Sequence, residues 1–100
     1  MPMLTIVAEI KAKPGKAAEL HKLLESLVGP SRKDKGCLDY VLHVGNEDPG
    51  FFLFYESWAS KEEWEQHMAT PHLEDFKAHA DELVADLTIH QMTRIEVGTP

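Results

Sequence analysis

The stretch Gly45-Asn46-Glu47-Asp48-Pro49-Gly50 contains no apolar side chain and is built from residue types that favour tight reversals. On either side of it the chain alternates. Before it, Cys37 to Val44 places Leu38, Tyr40, Leu42 and Val44 on one face and Asp39, Val41 and His43 on the other. After it, Phe51, Phe52, Leu53, Phe54 and Tyr55 suit a pleated, buried surface. Side chains point to opposite faces along a strand, so Phe52, Phe54, Glu56 and Trp58 share a face. Two alternating runs joined by such a turn predict an antiparallel hairpin. Everything else in the chain has to be arranged around it.

Upstream, Leu4 to Ile10 reads as a strand with Leu4, Ile6, Ala8 and Ile10 facing one way and Thr5, Val7 and Glu9 the other. Lys13-Pro14-Gly15 breaks it. A helix follows from about Lys16, with an apolar stripe of Ala17, Leu20, Leu24, Leu27 and Val28 and with His21 at its edge. Gly29-Pro30 is expected to end or bend this helix. The basic run Arg32, Lys33 and Lys35, split by Asp34, reads as a solvated face. Downstream, Ser60-Lys61-Glu62-Glu63 is a capping box that opens a helix carrying Trp64, His67 and Met68 on one side. Thr70-Pro71 stops that helix and starts another, which runs through Leu73, Phe76, Ala80 and Leu83 to about Val84. Leu87 to Val97 alternates as a last strand, and Gly98-Thr99-Pro100 reads as a frayed end. The order strand, helix, strand, strand, helix, strand predicts one α+β domain over residues 1–100. It is the ferredoxin-like βαββαβ arrangement, a four-stranded antiparallel sheet with its helices on one face. Apolar residues on the other face call for a cover, and a second copy of the sheet is the expected one.

Composition narrows the function. Ten basic against seventeen acidic residues, a net charge of −7, argue against nucleic acid and anionic membranes as partners. No apolar run has the length of a membrane span, and the N-terminal residues lack the charge pattern of a secretory signal. Cys37 stands alone, which leaves no intrachain disulfide and no cysteine metal site and fits a reducing cytoplasm; it reads as a small buried apolar residue. The glycines form neither a dinucleotide fingerprint nor a phosphate loop, and no serine sits in a nucleophile elbow. His67 and His72 are five apart and His72 and His79 seven apart, neither being the helical spacing that chelates zinc, so no metal site is expected. His43 and His90 fall on strand faces without an assigned partner.

The residues with chemistry cluster between Phe51 and His72. Glu56 is flanked on its face by Phe54 and Trp58, so it requires either a partner or a raised pKa. An imidazole or Arg94 is the expected partner. Trp64 reads as helix-to-sheet packing. His72 stands in the first turn of its helix, where the helix dipole favours a neutral ring.

The segments MLTIVAEIKAKPG, GCLDY, FYESW and HMATPH together resemble the antibiotic biosynthesis monooxygenase family, most closely its small quinol monooxygenase-type members. The resemblance spans nearly the whole chain. It implies a dimeric α/β barrel, a pocket between sheet and helices, and oxygenation of a small quinol or phenol by O₂ without metal, flavin or haem. In that setting Trp58, Phe54, Phe52 and Tyr40 are expected to stack on the substrate. His72 or His67 would take a phenolic proton, and Glu56 would orient the histidine. The family also contains haem-degrading enzymes and an isomerase. Trp58 matches the tryptophan of the haem-degrading branch, but Leu4 to Ile10 lacks its asparagine. Its helix histidine falls on Lys77, with His79 two residues away. A non-catalytic dimer binding a small ligand in the same pocket is the reading of a different class.

Overall fold

The computed structural model describes residues 3–98. Seven elements follow one another: β1 (Leu4–Ala12), α1 (Ala17–Arg32), β2 (Cys37–Val44), β3 (Phe51–Trp58), α2 (Lys61–Met68), α3 (Pro71–Leu83) and β4 (Val84–Met92). They form the expected ferredoxin-like βαββαβ fold, the second helical segment being broken into α2 and α3. The strands make one sheet in the order β2-β3-β1-β4, every neighbouring pair antiparallel.

The turn at Gly45–Gly50 does what its composition demands. Asp48 Oδ1 accepts the Gly50 N–H at 2.9 Å, and the same carboxylate pairs with Lys11 of β1. Strand register then sets the inner face row by row. Tyr40, Glu56 and Ile6 lie side by side, Leu42, Phe54 and Ala8 form the next row, and Val44, Phe52 and Ile10 the third. Leu20, Leu24 and Leu27 of α1 and Leu73 and Phe76 of α3 pack onto these rows as one core. Each such fully buried aliphatic side chain contributes roughly 1.5–3 kcal/mol.

The boundaries depart from the sequence reading in four places. β1 continues past Ile10 to Ala12, whose N–H donates to Gly50 O at 2.8 Å. α1 runs through Gly29-Pro30 to Arg32. Its last turn is anchored from outside: Ser31 is buried and Arg32 Nε donates to the Tyr40 carbonyl at 3.1 Å, and this tertiary packing offsets the proline. In β2 a register shift between Cys37 and Asp39 turns Leu38 out of the inner face, leaving it 53% exposed. The final strand is Val84–Met92 rather than Leu87 to Val97. It leaves α3 without a turn, and its pairing with β1 ends at the Thr5–Met92 pair. Thr93 to Val97 alternate without pairing to a strand among the described residues. Thr99 and Pro100, read as part of a frayed end, lie outside the described residues.

The outer face is mixed. Tyr55 and Val41 are exposed there, and His90 Nε2 meets Glu9 Oε2 at 2.8 Å across β4 and β1.

Candidate active site

The centre of the site begins on β3. Glu56 and Trp58 share a face, and the indole Nε1 donates to Glu56 Oε1 at 2.9 Å. Glu56 is 4% exposed. Burial raises its pKa to about 7 against the opposing pull of the Trp58 hydrogen bond, so the carboxyl is protonated in a substantial fraction of molecules at neutrality. The expected partners, an imidazole or Arg94, are not what holds it: Trp58 is, and Arg94 Nε lies 3.7 Å from Glu96.

α2 brings in His67. Ser60 caps this helix, its hydroxyl accepting the Glu63 N–H at 3.2 Å, which fixes the helix phase that turns Trp64 and His67 inward. The His67 ring lies on Trp58 with centroids 4.5 Å apart and meets the Tyr40 ring edge-on at 5.5 Å. His67 is 1% exposed. Its pKa is lowered, chiefly by burial, with the Asp34 hydrogen bond pulling the other way.

Asp34 is the residue that sequence reasoning passed over. Its Oδ2 is 2.7 Å from His67 Nδ1 and 2.8 Å from His72 Nε2. An ionised carboxylate only accepts, so both imidazole nitrogens facing it carry protons. Asp34, and not Glu56, therefore orients the imidazoles. Its position is made by the end of α1, where Asp34 N–H donates to Ser31 O at 3.0 Å and Cys37 N–H to Asp34 O at 3.1 Å. Gly36 completes the reversal with φ +84°, and a Cβ there would meet the Glu63 side chain. A single acid inside a basic run looked like one more solvated charge. The following glycine was the only local hint that the chain turns inward there.

His72 opens α3 behind Pro71, as expected, but Thr70 does not cap with its side chain. The hydroxyl donates back to His67 O at 2.7 Å, tying the two helices together.

With the Nδ1 proton on Asp34, His67 Nε2 is a free acceptor, and it makes no hydrogen bond among the described residues. His67 lines an apolar cavity of about 50 Å³ together with Tyr40, Phe54, Glu56, Trp64 and Phe76. A benzene-sized ligand takes about 150 Å³, so an aromatic substrate enters only if side chains at the rim give way. Leu87 and Ile89 of the edge strand β4 form part of that rim and are exposed. Tyr40, Phe54, Glu56 and His67 are thus brought together. Trp58 is completely buried behind Glu56 and His67 and offers no face to a ligand. Phe52 lies about 13 Å from Glu56 along β3 and packs against His21, centroids 5.6 Å apart, in the wall of a different, open groove of about 340 Å³ between α1 and β2. Burial, with Glu56 and Asp34 adding to it, pushes the Cys37 thiol to about 11, which removes it as a nucleophile.

Three comparisons bear on this arrangement. The sequence model described as antibiotic biosynthesis monooxygenase matches residues 3–79. Among curated proteins, the chain is 31% identical to YcnE of Bacillus subtilis over 83% of this chain and 87% of that one. It is 29% identical to the uncharacterized protein sll1783 of Synechocystis over 82% of this chain, and there the match spans only 56% of the relative's length. Among solved structures, PA3566 from Pseudomonas aeruginosa superposes with a TM-score of 0.93 at 35% identity, covering 96% of this chain and 97% of that one.

Proposed function

This chain belongs to the antibiotic biosynthesis monooxygenase family, and we propose that it oxidises a small quinol or phenol with O₂ and without a metal, flavin or haem. The observation that supports this most is the Asp34–His67 couple at the wall of an apolar cavity, its unpartnered Nε2 facing no protein acceptor or donor. His67 Nε2 takes the phenolic proton, and Asp34 holds the ring tautomer and steadies the imidazolium. The phenolate is electron-rich enough to pass one electron to O₂, and recombination forms the C–O bond. For a phenol with a free para position, the phenolic O–H and the para C–H are lost. One oxygen atom enters as the second carbonyl of a quinone, and the other leaves as water. All four electrons come from the substrate.

Tyr40 and Phe54 border the ring, and protonated Glu56 supplies a hydrogen-bond donor for an oxygen of substrate or product. His72 is the second imidazole on Asp34 and not the base. The haem-degrading alternative finds little support: Lys77 Nζ donates to Met68 O at 2.7 Å and contacts Glu74 at 3.1 Å, and His79 is exposed on α3. We further propose a cytoplasmic homodimer, with the second copy covering Val41 and Tyr55.

Oxygen uptake by the chelator-treated protein across a panel of hydroquinones, naphthoquinols and anthrones tests the reaction. Consumption of O₂ that is lost in His67→Gln is the expected result. Stabilisation by a panel member with no O₂ consumed points instead to a non-catalytic binder.

A further inference from the structure

We propose that Asp34, His67 and His72 form a binding site for a borderline divalent transition-metal ion such as Zn²⁺. The three come from three segments, the turn after α1, the last turn of α2 and the first turn of α3. Their ligating atoms all lie within 4.8 Å of one another. Two imidazoles converge on one carboxylate oxygen, at 2.7 and 2.8 Å. Protons hold this arrangement together, and a cation can replace them. With metal–ligand bonds of ~2.0–2.1 Å, neighbouring atoms of a tetrahedral site stand roughly 3.3 Å apart, so a small opening of the cluster seats an ion. Two nitrogens and one oxygen suit Zn²⁺, Co²⁺ or Ni²⁺; Ca²⁺ and Mg²⁺ demand all-oxygen shells.

His67 is sealed from solvent, but the side chains of His72 and Asp34 are 20% and 17% exposed, which gives the ion an entry path and leaves a coordination position for water. Binding requires lone pairs on both facing nitrogens. Each neutral ring meets this by moving its proton to its outer nitrogen, whereas a protonated ring must lose one, so affinity falls as pH falls. The spacing of His67 and His72 hid this site, because the ligand set is completed across a helix junction by a residue from a distant turn. This proposal does not rest on the oxygenase reading, and it sets a limit on it. An ion on His67 Nδ1 leaves the ring's remaining proton on Nε2, so the loaded protein lacks the free base.

The test uses the tag-free chain, stripped by chelator, with Zn²⁺ titrated by calorimetry about one pH unit above and about one below the ordinary histidine pKa. One ion per chain is expected, bound more weakly at the lower pH. Co²⁺ should give a visible d–d spectrum, and excess Mg²⁺ should not compete. His72→Gln and Asp34→Asn should each weaken Zn²⁺ binding by more than about tenfold. His90→Gln, on the outer face, should leave it unchanged. His72 is partly exposed, so His72→Gln should retain the parent's circular dichroism and carries the test even if Asp34→Asn misfolds. Absence of one-to-one binding, or parent-like binding in folded His72→Gln, overturns the site. None of these readouts involves substrate, so the fate of the oxygenase reading does not affect the outcome.

Discussion

At the scale of single residues, burial displaces Glu56 and His67 from their usual titration, and the two displacements have opposite signs. Glu56 goes from an ordinary 4.5 to about 7 on folding. The folded chain therefore holds a proton that the unfolded chain releases. The stability this contributes is complete below pH 4.5 and is lost as pH rises through 7. Ionising the buried carboxyl costs on the order of 3 kcal/mol. Glu56→Gln should accordingly be more stable than the parent at pH 8 and about equal to it at pH 4, as urea midpoints would show; an equal shift at both values would contradict the assignment. His67 runs the other way. Its pKa is lowered from 6.5, so its contribution is intact above 6.5 and declines as pH falls below it, where the unfolded chain takes up protons first. As a base, His67 should give kcat/KM an acid limb with its midpoint below 6.5. His67→Gln should reduce turnover by roughly 10²–10⁴-fold. Trp58→Phe removes the one donor to Glu56 among the described residues, and the carboxyl resonance in an NMR titration should then move to higher pKa than in the parent.

Among the elements, the least conspicuous piece is the turn between α1 and β2, which aims Asp34 at both imidazoles. Gly36 holds it with φ +84°, and a methyl group there would collide with Glu63 near the capped start of α2. Gly36→Ala should therefore destabilise the fold by more than about 1 kcal/mol in a thermal or urea melt, the usual scale for a left-handed residue gaining a side chain. It should also weaken the Asp34 contacts, visible as a change in the imidazole NMR signals of His67. Removing the carboxylate end of that side chain in the double variant Gly36→Ala, Glu63→Ala should recover only part of the loss, because the Glu63 Cβ contact and the φ requirement remain.

For the whole molecule, the sheet has one face closed by three helices and one face that the described residues leave open. With Tyr55 42% exposed in the middle strand of that face, light scattering should report twice 11.3 kDa, and Tyr55→Glu should return the particle toward one chain. A parent that scatters as a single chain would remove the proposed dimer. The order of elements, the hairpin and the inner rows of β3 were legible in the residues themselves. They depend on alternation, helical stripes and turn chemistry, all of which act over a few positions. Glu56 was legible as a problem, a carboxyl among aromatics, though not its solution by Trp58. Other features were decided only by long-range packing. α1 persists through Pro30 because Ser31 is buried and Arg32 is anchored on β2, and β4 ends where its pairing with β1 ends, at Thr5–Met92. Phe52 and Trp58 keep their predicted face and yet miss the cavity, because one lies two rows away and the other is sealed beneath His67. Asp34 joins His67 and His72 across 33 and 38 residues. No local pattern encodes such a contact, since hydrogen bonds between distant segments exist only once the core has set where those segments lie.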